Sequence, residues 1–374
     1  MKLIVCCLSI VLVVHSTLQS SSLELVQVFF RHGSRTPELK DTYPMDPYTA
    51  KDFMPMGWGQ LTNDGKRRAY KLGQLLRTRY DTLLGDIYTP GLAYTQSTDF
   101  DRTKMSALLV LAGLFQPSSA QKWNNDLAWI PIPYHVEKAE NDFFLRRPTH
   151  YCPQYVQELN QVLETDPRIM KILSENQQVL NYISKNTDKP MVTLMDVFRL
   201  YQTLNAEEAL NMTLPKWTES VYPRKIHDLA GRQCYFENSN QILKRLNGGR
   251  SLSHVINNMS VKMINVTAGA KIHLYSGHEN NVVNILSALD VFEPHVPKYS
   301  AAVIIELHNF KSKEMDDYKV RILYVRDVDA KYEPEVKVID NCEAFCPYQR
   351  FVDITRPKVP INYTEECHSS VQLD

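Results

Sequence analysis

The sequence predicts an α/β fold in which a sheet is interrupted by an inserted helical segment. The run Leu23–Phe30 is short, mostly apolar and rich in Val and Phe, as expected of a strand buried on both faces. A middle segment, about 142–248, shows helical spacing of apolar residues without a clear strand pattern. Strand patterns then return at Lys271–Ser276, Ala302–Leu307 and Tyr318–Val325. Strands and helices at both ends around a helical middle predict a sheet with an inserted cap.

These patterns divide the chain into a leader, a sheet domain and a cap. We assign 1–22 to a signal peptide, 23–140 together with 250–374 to the sheet domain, and 141–249 to the inserted helical cap domain. Apolar residues at helical spacing within 61–84 predict the first helix of the sheet domain.

A second helix is predicted from Asp101 to Phe115. Thr98 and Asp99 precede it and are candidate side-chain caps for its first turn.

Composition excludes several classes of protein. The 374 residues carry 42 basic and 42 acidic side chains, and this balance argues against a nucleic-acid-binding protein. A hydrophobic fraction of 44% is too high for a disordered chain.

The N-terminal residues predict secretion. Lys2 precedes an apolar run from Leu3 to Val14, and small polar residues follow, which is typical of a signal peptide. A transmembrane anchor needs about 20 apolar residues, more than this run supplies. We therefore expect an extracellular protein without a membrane anchor.

Cysteines and glycosylation motifs agree with that compartment. Five cysteines follow the leader, an odd number that leaves at least one thiol free or paired between chains. Cys342 and Cys346 are close enough for a small disulfide loop, and a zinc site at this pair is the weaker alternative. We expect no metal and no cofactor. Four Asn-X-Ser/Thr motifs are candidate glycosylation sites, at Asn211, Asn258, Asn265 and Asn362.

Two loops follow predicted strands and carry side chains suited to an anion. The segment 31–37, RHGSRTP, comes directly after Phe30, and 276–280, SGHEN, comes after the Lys271–Ser276 strand. Arginine forks match phosphate oxygens, and ligands of open α/β sheets bind beyond the carboxyl ends of strands. Arg102 lies in the first turn of a predicted helix, where the helix dipole favours anions.

These segments resemble the histidine acid phosphatases, which hydrolyse phosphomonoesters through a phosphohistidine. The resemblance extends over nearly the whole chain and includes RHGSRTP, GQLTNDG at 59–65, STDFDRT at 97–103, IPIP at 130–133 and SGHE. It implies a mixed sheet flanked by helices, with a smaller helical domain inserted. It also implies disulfides between Cys152 and Cys367 and between Cys342 and Cys346, with Cys234 left unpaired.

The resemblance assigns a role to each residue of the two loops. His32 would be the nucleophile, and the phosphate would be held by Arg31, Arg35, Arg102 and His278. The general acid of the family is usually an Asp directly after the second histidine, where this chain has Glu279. The added methylene moves the carboxyl group by more than about 1 Å, a distance to which catalysis is sensitive.

Ser34 and Gln96 are further departures. Ser34 replaces the usual Asp of the RHG loop, and Gln96 replaces the usual Arg before Ser-Thr-Asp. Together they indicate relaxed surroundings of the phosphate site. An altered acid in a secreted phosphatase fold resembles the acid-phosphatase-like salivary proteins of blood-feeding insects, which sequester biogenic amines and leukotrienes.

Two functional hypotheses follow. The first is a catalytically impaired phosphatase fold that binds small mediators, with a pocket wall that includes Phe143, Phe144, Arg146 and Tyr201. The second is an active acid phosphatase that tolerates Glu279. The phosphoglycerate-handling branch of the superfamily is a weaker alternative. The partner is a small molecule in each case, and the segment with Trp129 and His135 resembles the dimer contact of the family.

Overall fold

The computed structural model describes residues 21–311, 316–330 and 333–373. The predicted signal peptide, 1–22, lies almost wholly outside the described residues, and the first strand begins at Ser22. Within the described ranges, no helix is both long and apolar enough to cross a membrane.

The described residues form one mixed sheet of eight strands. Its strands are β1 (Ser22–Arg31), β2 (Ala93–Ser97), β3 (His135–Val136), β4 (Ile272–Gly277), β5 (Ala302–Asn309), β6 (Tyr318–Val325), β7 (Glu335–Lys337) and β8 (Cys346–Pro347). The order across the sheet is β3-β2-β4-β1-β5-β6-β7, and β8 also pairs with β6. The pairs from β3 to β1 are parallel, and those from β1 to β8 are antiparallel. The predicted mixed α/β fold is confirmed, whereas the short strands β2, β3, β7 and β8 were not predicted.

Twelve α-helices accompany the sheet in the described part of the chain. They are α1 (Asn63–Leu84), α2 (Asp101–Leu114), α3 (Pro153–Thr165), α4 (Pro167–Glu175), α5 (Gln177–Thr187), α6 (Leu194–Ala209), α7 (Arg224–Phe236), α8 (Gln241–Leu246), α9 (Gly248–Ile264), α10 (Glu279–Ala288), α11 (Tyr348–Thr355) and α12 (Tyr363–Glu366). Helices α3–α9 follow one another between β3 and β4, and α4–α7 share a core to which Tyr43, Val283 of α10 and Val296 also contribute. The domain boundaries at 141 and 249 stay a prediction.

Strand β1 is buried on both faces because its apolar side chains alternate between two cores. Val26, Val28 and Phe30 pack with α1 and α2, whereas Leu25 and Phe29 pack with α9, α10 and α11. Successive side chains of a strand point to opposite faces, so a strand with two covered faces needs apolar residues at nearly every position. This requirement explains the apolar run that predicted the strand.

The predicted caps of α2 are wrong. Its N-cap is Phe100, which makes no side-chain cap hydrogen bond. The Thr98 hydroxyl instead donates to Oγ1 of Thr103, and the Asp99 carboxylate pairs with Lys104 at 2.7 Å. The side chains of Thr98 and Asp99 therefore bond to side chains of α2 rather than to the backbone amides of its first turn.

Three of the four glycosylation motifs present an exposed asparagine: Asn211, Asn265 and Asn362. The fourth, Asn258, is partly buried, and its Nδ2 donates to Oε1 of Gln27 at 2.8 Å and to the Tyr275 hydroxyl at 3.2 Å. These hydrogen bonds make Asn258 the least accessible of the four asparagines, and glycosylation stays a prediction at all four.

Two disulfides are present, Cys152–Cys367 and Cys342–Cys346. The second pair is therefore not a zinc site. Cys234 is a free, buried thiol.

The two disulfides should differ in their contribution to stability. They join residues 215 and 4 positions apart. The loop-entropy account gives about 5 kcal/mol for the long loop and about 2 kcal/mol for the short one. Replacing Cys152 and Cys367 by Ala should therefore lower the free energy of unfolding more than replacing Cys342 and Cys346, as measured by urea unfolding. Equal losses would contradict this account.

Candidate active site

Parallel pairing of β1 with β4 brings the two histidine loops together. Arg31 at the end of β1 lies opposite Gly277 at the end of β4, and the His32 amide donates to the Gly277 carbonyl at 2.9 Å. His32 and His278 therefore leave the same edge of the sheet, and their ring centroids are 5.4 Å apart. The sheet joins residues that are 246 positions apart in the sequence.

Gly33 is required because the backbone of the RHG segment closely approaches the backbone of α1. A Cβ atom on Gly33 would lie 2.1 Å from the carbonyl oxygen of Gly65, in the first turn of α1. A Cβ on Gly65 would lie 2.0 Å from the Ser34 carbonyl oxygen. Such distances are far below van der Waals contact, so larger residues would force the loop that carries His32 away from α1.

His32 is held in the tautomer that a nucleophile needs. Its Nδ1 is 2.7 Å from the Gly33 carbonyl oxygen, an acceptor, so Nδ1 carries the hydrogen. Its Nε2 accepts from Nε of Arg102 at 3.2 Å. Both contacts leave the lone pair of the imidazole on Nε2.

Both imidazoles remain neutral in acid. Burial lowers the pKa of His32 well below its usual value, and the positive charge of Arg102 lowers it further. Burial, followed by the charge of Arg102, lowers the pKa of His278 to about 3. The lowered pKa favours the neutral form of His32, in which Nε2 keeps its lone pair, at a lower pH than for an exposed histidine.

Arg102 connects His32 to a carboxylate that the sequence did not identify. Its Nη2 donates to Oε1 of Glu38 at 2.8 Å, while its Nε reaches His32. Burial alone would raise the pKa of Glu38, but the charges of Arg35 and Arg102 outweigh it and lower that pKa. Glu38 lies three residues after Arg35, just beyond RHGSRTP, and only the fold shows that it faces Arg102.

The other two predicted phosphate-binding arginines differ in their surroundings. Arg35 is buried, donates from Nη1 to the Thr36 carbonyl oxygen at 2.9 Å, and lines the cavity in front of His32. Arg31 does not line that cavity. Its two Nη atoms donate to the Pro297 carbonyl oxygen at 2.6 Å and to Oε1 of Gln202 at 3.0 Å.

Glu279 lies between two guanidiniums. Its Oε2 is 3.5 Å from Nε of Arg31, and its Oε1 is 3.7 Å from Nη2 of Arg147. Burial alone would raise the pKa of Glu279, but the charges of Arg31 and Arg147 outweigh it and lower that pKa to about 2. The carboxyl group is therefore ionised at pH 5, whereas a general acid must carry a proton.

A cavity of about 570 Å³ opens in front of His32. The described residues that line it include six basic side chains, namely Arg35, Lys40, Arg102, Arg146, Arg147 and Arg199, and five acidic ones, namely Glu38, Asp41, Asp99, Asp142 and Glu279. No group of three or more potential metal ligands occurs among the described residues. The cavity is highly charged, with a basic excess suited to an anion.

Only one of the four predicted wall residues lines this cavity. Arg146 does so, whereas Phe144 packs in the core against Phe29 and Tyr275. Phe143 packs against Tyr151 and borders another cavity. Tyr201 lines a separate cavity on the far side of the RHG loop. The prediction is wrong for these three aromatic residues, because their rings pack between helices or between a helix and the sheet.

The two small departures lie away from the phosphate-binding side chains. The Ser34 hydroxyl donates to Oδ2 of Asp64 at 2.9 Å and borders the same separate cavity as Tyr201. Gln96 lies on β2, where its Oε1 accepts from the Tyr94 hydroxyl at 3.0 Å. Among the described hydrogen bonds, neither side chain bonds to His32 or Arg102.

Comparison with known proteins assigns the family. Residues 22–325 match the model of the histidine phosphatase superfamily (branch 2). The chain belongs to this superfamily. A venom acid phosphatase of Apis mellifera is 37% identical over 355 residues, which are 93% of this chain and 88% of that protein. The lysosomal acid phosphatase of Homo sapiens is 33% identical over 363 residues, 96% of this chain and 84% of that protein.

Solved structures agree with the histidine phosphatase fold. The apo phytase of Hafnia alvei superposes with a TM-score of 0.70 at 17% identity, over 93% of this chain and 98% of that one. The phytase of Citrobacter braakii gives a TM-score of 0.69, also at 17% identity, over 93% and 100%. At this identity the likeness concerns the fold alone.

Removing the charge of Glu38 should strengthen anion binding in this histidine phosphatase. The Glu38 carboxylate neutralises Arg102, so we expect Glu38→Gln to lower the dissociation constant of inorganic phosphate about tenfold. Asp101→Asn removes the same charge from an exposed position of α2 and should have little effect. Isothermal titration calorimetry measures both variants. Weaker binding by Glu38→Gln would show that Glu38 mainly orients Arg102.

Proposed function

We propose that this protein is an acid phosphatase that hydrolyses phosphomonoesters through a phosphohistidine at His32. The observation that carries the proposal is the neutral, oriented imidazole of His32, whose Nε2 lies 3.2 Å from Nε of Arg102 in a cavity lined by basic side chains. The acid phosphatases among the relatives support the same reaction.

Two displacements at phosphorus make up the reaction. In the first, Nε2 of His32 attacks phosphorus, the ester P–O bond breaks, and the leaving oxygen takes a proton. Arg35, Arg102 and His278 are placed to hold the non-bridging oxygens. In the second, water attacks phosphorus of the phosphohistidine, the P–N bond breaks, and the proton that the water loses returns to the group that protonated the leaving oxygen. Inorganic phosphate is released and the free imidazole is restored.

The weak step is delivery of a proton to the leaving group. Glu279 occupies the position for this role, but Arg31 and Arg147 favour its ionised form. An alkoxide leaves only when it is protonated, whereas a nitrophenolate leaves unaided. We therefore propose that catalysis is impaired for alkyl phosphates and efficient for esters with good leaving groups.

Substrates that differ in their leaving group test this proposal. At pH 5, wild-type protein should hydrolyse p-nitrophenyl phosphate much faster than glycerol 2-phosphate, and His32→Ala should abolish both activities. Glu279→Asp gives the carboxyl group the reach of the family's usual acid, so it should raise kcat for glycerol 2-phosphate by up to about 100-fold and change kcat for the aryl ester much less. Absence of turnover of both esters by wild-type protein would refute the phosphatase proposal. No effect of Glu279→Asp would refute the reach of the carboxyl group as the cause and would leave its pairing with Arg31 and Arg147 as the cause.

The second candidate function is sequestration of small mediators. The observation that favours it is the basic lining of the cavity, which includes Arg146 and Arg199 and suits a carboxylate of a leukotriene. Amine binding has less support, because the Glu279 carboxylate is already paired with two guanidiniums.

Calorimetric titration separates this candidate from catalysis. Leukotrienes, serotonin and histamine are titrated into His32→Ala, which cannot turn over a phosphate ester. We expect leukotriene binding and no amine binding if the cavity sequesters anions. Absence of a binding heat with all three ligands would refute the sequestration proposal.

Secretion and dimerisation complete the proposal. The predicted signal peptide and the two disulfides support secretion. A homodimer is supported by the sheet edge at β3, the strand that includes His135. Beside this edge, Trp123 is exposed and its indole N–H donates to the Trp129 carbonyl. A monomer in analytical ultracentrifugation would refute the dimer.

A further inference from the structure

Arg147 is fixed on one side by a carboxylate that takes no part in the proposed reaction. Its Nη1 is 3.4 Å from Oε1 of Glu237, the residue that caps the C-terminus of α7. The same Oε1 accepts from Nε2 of Gln233 at 3.2 Å, and the Glu237 carbonyl oxygen accepts from the buried Tyr155 hydroxyl at 2.9 Å. Glu237 is thus held by α3 and α7, and it in turn holds the Arg147 guanidinium.

The other side of Arg147 faces Glu279. Nη2 of Arg147 is 3.7 Å from Oε1, while Nε of Arg31 is 3.5 Å from Oε2. Arg31 is itself fixed by Gln202, by the Pro297 carbonyl and by the Tyr299 ring, which lies 4.2 Å from its guanidinium carbon. Each oxygen of Glu279 therefore faces a different, independently anchored guanidinium.

These separations are characteristic of ion pairs rather than short hydrogen bonds. Both exceed the usual 2.7–2.9 Å of a charge-assisted N–H to carboxylate bond. The carboxylate is attracted from two sides without being fully bonded to either guanidinium. A glutamate has one more rotatable bond than an aspartate, so a second attraction restricts the freedom that the longer side chain adds.

We infer that Arg147 is a positioning residue for Glu279, which holds the longer carboxyl group beside the cavity and sets the pH range in which it delivers a proton. The effect of Arg147 on catalysis rests on the proposed phosphatase reaction, whereas its contact with Glu279 does not. Arg147 comes from the segment before α3, within the predicted helical cap. A residue of the cap would therefore control Glu279, which belongs to the sheet domain.

The direction of the pH effect follows from the charges that face Glu279. Arg31 approaches it from β1, Arg147 from the segment before α3, and His278 from its own helix; Arg35, Arg102 and the Cys234 thiol are further titratable groups that interact with it. Removing one neighbouring positive charge raises the pKa of a carboxyl group. Without Arg147, Glu279 should therefore stay protonated to higher pH.

Arg147→Met and the control Arg147→Lys test the inference by activity. For glycerol 2-phosphate, kcat falls as Glu279 loses its proton, and Arg147→Met should move this fall upward by about one to three pH units. Arg147→Lys keeps the charge and should move it much less. The pH dependence for p-nitrophenyl phosphate, which needs no acid, should not follow this shift. Equal shifts for both esters, or no shift for the alkyl ester, would overturn the inference.

A direct titration keeps the inference testable even if the protein has no phosphatase activity. Carbon NMR of protein labelled at the glutamate carboxyl groups, with Glu279→Gln used for assignment, gives the pKa of Glu279 itself. We expect an upward shift in Arg147→Met relative to wild type. Glu237→Gln keeps the Arg147 charge and removes the carboxylate that competes for it, so no upward shift is expected in this control. An unchanged pKa in folded Arg147→Met would overturn the inference, whatever the activity.

Discussion

The site depends on the parallel pairing of β1 with β4. The register that places Arg31 opposite Gly277 brings His32 and His278 to one edge of the sheet. That register is fixed because β1 is covered on both faces, and a shift by one residue would exchange the side chains of its two cores. The position of the nucleophile is thus a consequence of core packing far from the cavity.

Charge balance is the second constraint on the cavity. Guanidiniums that could bind a phosphate are costly to bury alone, and the protein pairs them with its own carboxylates, Glu38 at Arg102 and Glu279 at Arg31 and Arg147. An incoming phosphate must compete with Glu38 for Arg102. The carboxylates that stabilise the folded protein therefore lower its affinity for the anion.

The sequence predicted the features that depend on local pattern. Strand β1 was recognisable from its apolar run, and the two loops from their position after strands. Glu38 and Arg147 were missed because a charged residue outside a motif gives no sign of what it faces. Phe143, Phe144 and Tyr201 were misplaced for a related reason: an aromatic ring serves a core or a cavity wall equally well, and only long-range packing decides which.

A general acid at the position of Glu279 must meet two requirements: its carboxyl group must reach the leaving oxygen, and it must hold a proton. In the free site, two guanidiniums keep Glu279 ionised. A phosphate dianion bound to Arg35 and Arg102 would bring negative charge close to the same carboxylate and raise its pKa. Substrate binding itself would then favour protonation of the acid, and lower pH would favour it further. For His32, burial and the charge of Arg102 oppose protonation and so favour retention of its lone pair. Acid therefore helps the group that must donate a proton without disabling the group that must attack.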